Sequence, residues 1–273
     1  MTAIPRKVPS SRIRKLFTVP ALIYHKVHRS SELGLNSVHP TQFAQHLQWL
    51  KDNGFQTVTY RDVLDGAAIT SRSILITFDD GFESVFSHAF PIMARFNFVG
   101  VVFPVAGWLG KPGAWDYYSN GSGSQHLNAQ QLRQLVAAGW EVGSHGMNHL
   151  PLAYLNSRLL NRELSRSRSV LEEATGRAVV TLAYPFGIHS PRVAQAARAN
   201  GYQLACARLK PAGAANSWAL ARFPIYRYDS VRSLALKLQR NPWSILKTHL
   251  ISWPARFTPL FQLLFKRELF IEK

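Results

Sequence analysis

A chain of 273 residues with 47% apolar side chains can bury one sizeable core, which excludes an intrinsically disordered protein. It holds no run of about eighteen apolar residues, which excludes a spanning helix. Lys and Arg outnumber Asp and Glu 32 to 15, for a net charge of +17, and residues 1–27 and 231–273 carry +6 each. The single Cys206 rules out an internal disulfide and, within the apolar run 204–207, reads as a packing residue.

Residues 1–19 form a basic N-terminal extension. The apolar run 16–24 behind it superficially resembles a secretory leader. It is short, contains Pro20 and lacks a small-residue cleavage site, so the expectation is a first strand, no secretory signal and a cytoplasmic protein. Residues 20–230 then alternate two kinds of pattern. Strands are expected at 21–24, 57–59, 74–77, 100–105, 141–144, 179–184 and 203–207, and helices at 40–52, 84–96, 129–138, 157–175 and 191–200. Gly54, Gly139, Gly176 and Gly201 stand where helices should stop. Such alternation predicts an α/β fold, a parallel sheet with helices outside. The Gly- and Ser-rich stretch 118–124 reads as a loop, at the rim of the site or simply on the surface.

Residues 231–273 form a second basic extension, in which Trp243, Leu246, Trp253, Phe257, Phe261 and Phe265 alternate with Lys and Arg. Pro242, Pro254 and Pro259 prevent one long helix. Such a segment suits the headgroup region of an anionic membrane, or its apolar groups close the bottom of the fold. Contact with the membrane is the expectation beyond Pro254. Nucleic acid is not an expected partner, because no reader motif accompanies the charge.

Two clusters carry the chemistry: Thr77-Phe78-Asp79-Asp80-Gly81 and Ser144-His145-Gly146-Met147-Asn148-His149, each behind an apolar strand. Strand ends are where barrels and open parallel sheets gather catalytic groups. Adjacent carboxylates point different ways, so one of Asp79 and Asp80 can hold a divalent metal while the other takes a proton from the attacking water. His145 and His149, four apart, would share the face of a helical turn and grip one ion. Alone, an Asp-Asp-Gly is usually a turn and a His pair usually a surface feature. Together they describe metal-assisted hydrolysis.

With these motifs the chain resembles the polysaccharide deacetylase family, the NodB-homology domain of the family-four carbohydrate esterases. The resemblance covers residues 20–228 and implies a distorted (β/α) barrel of about seven parallel strands. It makes Asp79 the catalytic base and Asp80, His145 and His149 the ligands of a divalent metal, with zinc the expected ion. Ala183-Tyr184-Pro185-Phe186-Gly187 is similar to the third motif, which walls the sugar groove, and marks Tyr184 and Pro185 as substrate-binding.

Two departures follow. Ala183 stands where many members carry the Arg that supports the base, and no Leu-x-x-His follows an apolar strand, although His249 keeps the bare spacing. The branch resembling poly-N-acetylglucosamine deacetylases opens instead with a strand ending in Tyr-His, as Tyr24-His25 does here. That makes His25 the candidate general acid and Arg222 the candidate support for Asp79, an ordinary surface ion pair being the other reading of Arg222. The implied activity is removal of an N-acyl group, in the simplest case acetyl, from an amino sugar. The substrate is a polysaccharide or a lipid-linked glycan precursor at the inner face of the membrane. The alternative is a glycan- or membrane-binding module that keeps the fold without turnover.

Overall fold

The computed structural model describes residues 9–29, 35–112, 124–208, 216–243 and 246–247. The bulk of the loop 118–124, His249 and the chain beyond residue 247 lie outside them. Seven parallel strands form the central sheet: β1 (Ala21–Tyr24), β2 (Ser73–Asp80), β3 (Val101–Pro104), β4 (Glu141–Val142), β5 (Thr181–Ala183), β6 (Leu204–Arg208) and β7 (Leu220–Pro224). Each pairs with the next in sequence, and β7 returns to β1. Between β4 and β5 the seam is a single bridge, Ser144 to Leu182, where Ser144 N donates to Thr181 O (2.9 Å) and Ala183 N to Ser144 O (2.8 Å). The result is a nearly closed (β/α) barrel.

Side chains alternate across these strands, as the two-residue period requires. Leu22, Ile76, Phe78, Val102, Leu182, Ala205 and Phe223 face outward into the main core beneath the helices. Ala21, Leu75, Val101, Phe103, Ala183, Leu204, Cys206 and Leu220 belong to a second core that fills the barrel, joined by Tyr60 and Leu16. Gly143 continues the lumen-facing set of β4. A Cβ there would come within 2.3 Å of Phe103 and 2.4 Å of Thr181 Oγ1, so only glycine lets the strand approach this closely.

Eight described helices surround the strands: α1 (Ser10–Leu16), α2 (Pro40–Asp52), α3 (Tyr60–Asp65), α4 (Phe90–Arg95), α5 (Ala129–Ala137), α6 (Ser157–Thr175), α7 (Pro191–Ala199) and α8 (Val231–Leu238). Their starts follow from capping chemistry. Asn128 and Gln131 form a capping box on α5, Asn156 accepts from Leu159 N on α6, and Ser190 from Val193 N on α7. Gly176 ends α6 in the left-handed conformation, φ 67°.

Several expectations need correction. The strand expected at 21–24 is β1, while Leu16, at the start of the apolar run before it, ends a helix that was not expected. Residues 84–96 are not one α-helix but a π-helical turn, Val85–Ala89, leading into α4. The strand expected at 57–59 is Gln56–Thr57, which pairs with the start of β2 off the barrel path, and the seventh barrel strand is Leu220–Pro224. Just past β1, Lys26–Val27 and Ser37–Val38 pair in a separate two-stranded ribbon.

Parts of both terminal extensions are packed. Leu16 of α1 is 4% exposed in the lumen core. Lys237 of α8 is buried, donating to Asp229 (2.5 Å) and to Pro224 O (2.7 Å). Asp229 O in turn meets His46 Nε2 of α2 (2.7 Å), whose Nδ1 meets Tyr24 Oη (3.1 Å). This polar chain clasps α2 and α8 to the end of β1. No helix among the described residues is long and apolar enough to cross a membrane.

Candidate active site

The carboxyl ends of the strands bring the expected residues together. Asp79 is the last lumen-facing residue of β2, two beyond Thr77. Arg222, the lumen-facing middle of β7, reaches it with a two-pronged contact, Nη1 to Oδ1 at 2.7 Å and Nη2 to Oδ2 at 2.9 Å. Nη1 also donates to Thr77 Oγ1 (2.9 Å), which donates to Leu22 O (2.7 Å). The guanidinium lies 5.1 Å over the ring of Phe103. Arg222 is 1% exposed and Asp79 6%, so this is a dry pair rather than a surface one. Burial pushes the Asp79 carboxyl up, but Arg222 and then His145 outweigh it and hold the pKa at about 2. Asp79 is fully ionised at neutral pH.

Asp80 takes a positive φ of 69°, which turns its carboxylate away from that of Asp79. Its Oδ1 stands 3.5 Å from His145 Nε2 and 3.4 Å from His149 Nε2. Gly81 follows at φ 71°, and a Cβ on it would lie 2.7 Å from Pro104 Cα, so no other residue fits that turn without shifting the end of β3. His145 Nδ1 faces Ala183 O at 2.8 Å, which assigns the proton to Nδ1 and leaves the Nε2 lone pair toward Asp80. Burial, the largest influence, lowers the His145 pKa; the charge of Asp79 and the bond to Ala183 oppose it, and Arg222 reinforces it. The neutral form results, which is the form that ligates metal.

The two histidines do not share a helix. Residues 145–149 are irregular, with Gly146 at φ 82° and His149 at φ 56°. What shapes the loop is Glu163, buried on α6, whose Oε2 accepts from Met147 N and Asn148 N (3.0 Å each) and whose Oε1 accepts from Asn148 Nδ2 (2.5 Å). Sequence reasoning missed Glu163. Its signal was an acid inside the apolar stripe Leu160, Leu164, Leu171 of α6. Phe186, at φ 60° in the third-motif turn, sets its ring 4.6 Å from that of His149. We expect Glu163→Ala to preserve the barrel yet weaken metal binding by about tenfold to a hundredfold, the usual scale for a group that orients ligands. Metal titration of the purified variant checks this.

His25 follows β1 in the lumen-facing register, and its Nδ1 is buried without a hydrogen-bond partner among the described residues. Burial lowers its pKa to about 4; Asp79 opposes that, while His145, Arg208 and Arg222 add to it. His25 is therefore neutral at rest. Tyr184 is placed differently from the expectation. It is 1% exposed in the outer core, its ring stacked on His189 at 5.1 Å, and its N–H donates to Cys206 O at 3.1 Å. The ring and N–H of Tyr184 are thus engaged within the protein, and Phe186 and Gly187 are the partly exposed residues of the turn. Pro185 is likewise buried.

Asp80, His145 and His149 place one carboxylate oxygen and two imidazole nitrogens within 4.8 Å of one another. Two neutral imidazoles and a carboxylate are a donor set that suits zinc and similar divalent ions, so these residues fit the metal that the motifs imply. No other group of three or more such side chains occurs among the described residues.

A family model described as polysaccharide deacetylase matches residues 67–205. YxkH of Bacillus subtilis (strain 168) is 25% identical over 190 residues, covering 68% of this chain and 63% of that protein. The poly-beta-1,6-N-acetyl-D-glucosamine N-deacetylase of Staphylococcus aureus (strain MRSA252) is 23% identical over 193 residues, 62% of this chain and 64% of that one. The chain thus spans a little under two-thirds of the length of these relatives. Among solved structures, IcaB from Ammonifex degensii is 26% identical with a TM-score of 0.67, covering 81% of this chain and 97% of that one. The Streptococcus pyogenes deacetylase PplD in complex with acetate shares the fold, with a TM-score of 0.69 and 24% identity over 81% of this chain and 97% of that one. Motifs, barrel and family model agree: the chain belongs to the polysaccharide deacetylase family.

Proposed function

We propose that this protein is a metal-dependent hydrolase that removes an N-acyl group, in the simplest case acetyl, from an amino sugar. The observation that carries the reading is the juxtaposition of an ionised, arginine-clamped Asp79 with the donor set of Asp80, His145 and His149 at one barrel mouth. A module that only binds glycans has no use for both. A divalent ion, zinc by expectation, supplies Lewis acidity and lowers the pKa of water when bound.

The residues of the chain divide the remaining work. Asp79 accepts the proton of the attacking water, and Arg222 fixes its orientation in a site too dry to support a lone carboxylate. His25 delivers a proton to the departing amine. Since burial keeps it neutral at rest, that proton is the one Asp79 has taken from the attacking water, passed on to His25 as negative charge develops beside it. Phe186 and Gly187, the partly exposed part of the third-motif turn, lie against the sugar.

The substrate in this reading is a lipid-linked glycan precursor, met at the inner face of the membrane by a peripheral enzyme. Support comes from the +6 at each end of the chain, which suits an anionic leaflet at about 1 kcal/mol per cation near the surface. Trp243 (77% exposed) and Leu246 (48%) beside Lys247 add apolar contact of the kind that interfacial segments use. The test is product analysis by mass spectrometry after the metal-loaded protein meets membrane glycolipids and, separately, soluble N-acetylglucosamine oligomers. Loss of acetyl from the glycolipids in preference to the oligomers is expected. Loss from the oligomers alone would remove the lipid-linked substrate, and no loss from either would leave a binding module.

A further inference from the structure

Arg208 closes β6 in the same lumen-facing register as Leu204 and Cys206, opposite Arg222 on β7, its Cα partner in the ladder. Its backbone and Cβ abut the third-motif turn, where a Cβ on Gly187 would lie 3.1 Å from Arg208 Cβ. The side chain is half-buried and makes no hydrogen bond or ion pair with any described residue. The carboxylates of the lumen are bonded to other groups. Asp79 gives both oxygens to Arg222, Asp80 faces the two histidines, and Glu141, at the opposite end of the barrel, is taken by Arg61 N and Thr181 Oγ1. Its register beside Arg222 at the carboxyl end of β6 places it at the barrel mouth, and its charge acts on His25. Partial burial without a counter-charge is costly for a cation, and a guanidinium is built to grip a planar or tetrahedral oxyanion through two parallel N–H bonds.

We propose that Arg208 anchors an anion subsite in the barrel mouth, and that the amino sugar taken by this enzyme carries a carboxylate or a phosphate close to its N-acyl group. The inference rests on the hydrolase reading for its substrate, but the subsite itself does not need turnover to be detected. A sugar joined to a lipid through phosphate would bring such an anion, and so would an acidic sugar. The two sources share the oxyanion and differ in the probe that reports them.

The test uses the metal-loaded full chain and three N-acetylated probes: methyl N-acetylglucosaminide (neutral), N-acetylglucosamine 1-phosphate (phosphate) and N-acetylmuramic acid (carboxylate). Both kcat/KM and calorimetric Kd are read for wild type and Arg208→Gln, with thermal unfolding to confirm that the variant is folded. Wild type should favour one charged probe over the neutral one by about tenfold to a hundredfold, the range for a hydrogen bond to a charged group. Arg208→Gln should erase that preference through KM and Kd, Arg208→Lys should restore part of it, and added salt should weaken it. Preference for the phosphate probe identifies one source, and preference for the carboxylate probe the other. Equal handling of all three probes by wild type, or a uniform loss on all three in Arg208→Gln, overturns the subsite. If no probe is turned over while Arg208-dependent binding of a charged probe persists, the hydrolase reading falls and the subsite stands.

Discussion

Arg222→Met should destabilise the protein by about 3–5 kcal/mol, the scale for leaving one partner of a buried ion pair uncompensated, and should stop turnover. The reason lies in the lumen. No second cation among the described residues is bonded to Asp79, so methionine leaves a carboxylate stranded beside Phe103 and Thr77. The double variant Asp79→Asn with Arg222→Met should regain much of the lost stability, since no charge remains to be buried, yet stay inactive. Urea unfolding together with turnover of an N-acetylated oligomer separates the two effects. An active double variant would show that Asp79 is not the base.

The pH dependence carries the same sign information. In wild type the pKa of Asp79 is about 2 against an ordinary 3.8. A depressed carboxyl stabilises fully above its unfolded pKa, so this contribution should fade as pH drops from about 4 towards 2. In Arg222→Met the charge and hydrogen bonds of Arg222 are gone, and burial, the largest influence, raises the pKa against the weaker pull of His145 and His25. Mild acid should then stabilise the variant rather than weaken it.

His149→Ala should strip most of the bound metal and lower turnover by at least about a hundredfold, the scale for losing one preorganised electrostatic contact, while leaving the barrel folded. His145→Ala should lose the metal too, but with a drop in Tm, because its Nδ1 also bonds Ala183 O across the seam between β4 and β5. Metal content by elemental analysis and thermal unfolding on both variants make the comparison. Stoichiometric metal in His149→Ala would show that the ligands are assigned wrongly.

The parts of the fold that were legible in the sequence are those where local chemistry and tertiary environment agree. β1 begins and ends as expected at 21–24, and α6 at 157–175, because an all-apolar run and a capped amphipathic stripe each have one reading. β7 was not legible as a strand. Its buried middle residue is a charged Arg222, and Ala221, beside it, is exposed, so the pattern resembles a surface loop until Asp79 is known to stand opposite. The spacing of His145 and His149 suits a helix equally well. Nothing local reveals that Glu163, fourteen residues beyond His149 in sequence, gathers the loop's amides and that the backbone turns left-handed at Gly146 and His149. The grouping of Asp80, His145 and His149 was legible in outline from residue type and spacing, and Arg222 only through the resemblance; Glu163 was not legible, because it acts from another helix.

The lumen-facing Ala183 and the incoming Arg222 have a consequence for how relatives of this chain are compared. Position by position, the third motif has lost its arginine, and the enzyme would be scored as impaired. In space the charge is present: Arg222 sits against Asp79, delivered from β7. A closed ring of strands makes such relocation feasible, since every inward position in one layer looks into the same small volume. What a family of this shape has to preserve is the charge at a point in the ring, and any strand able to reach that point can carry it.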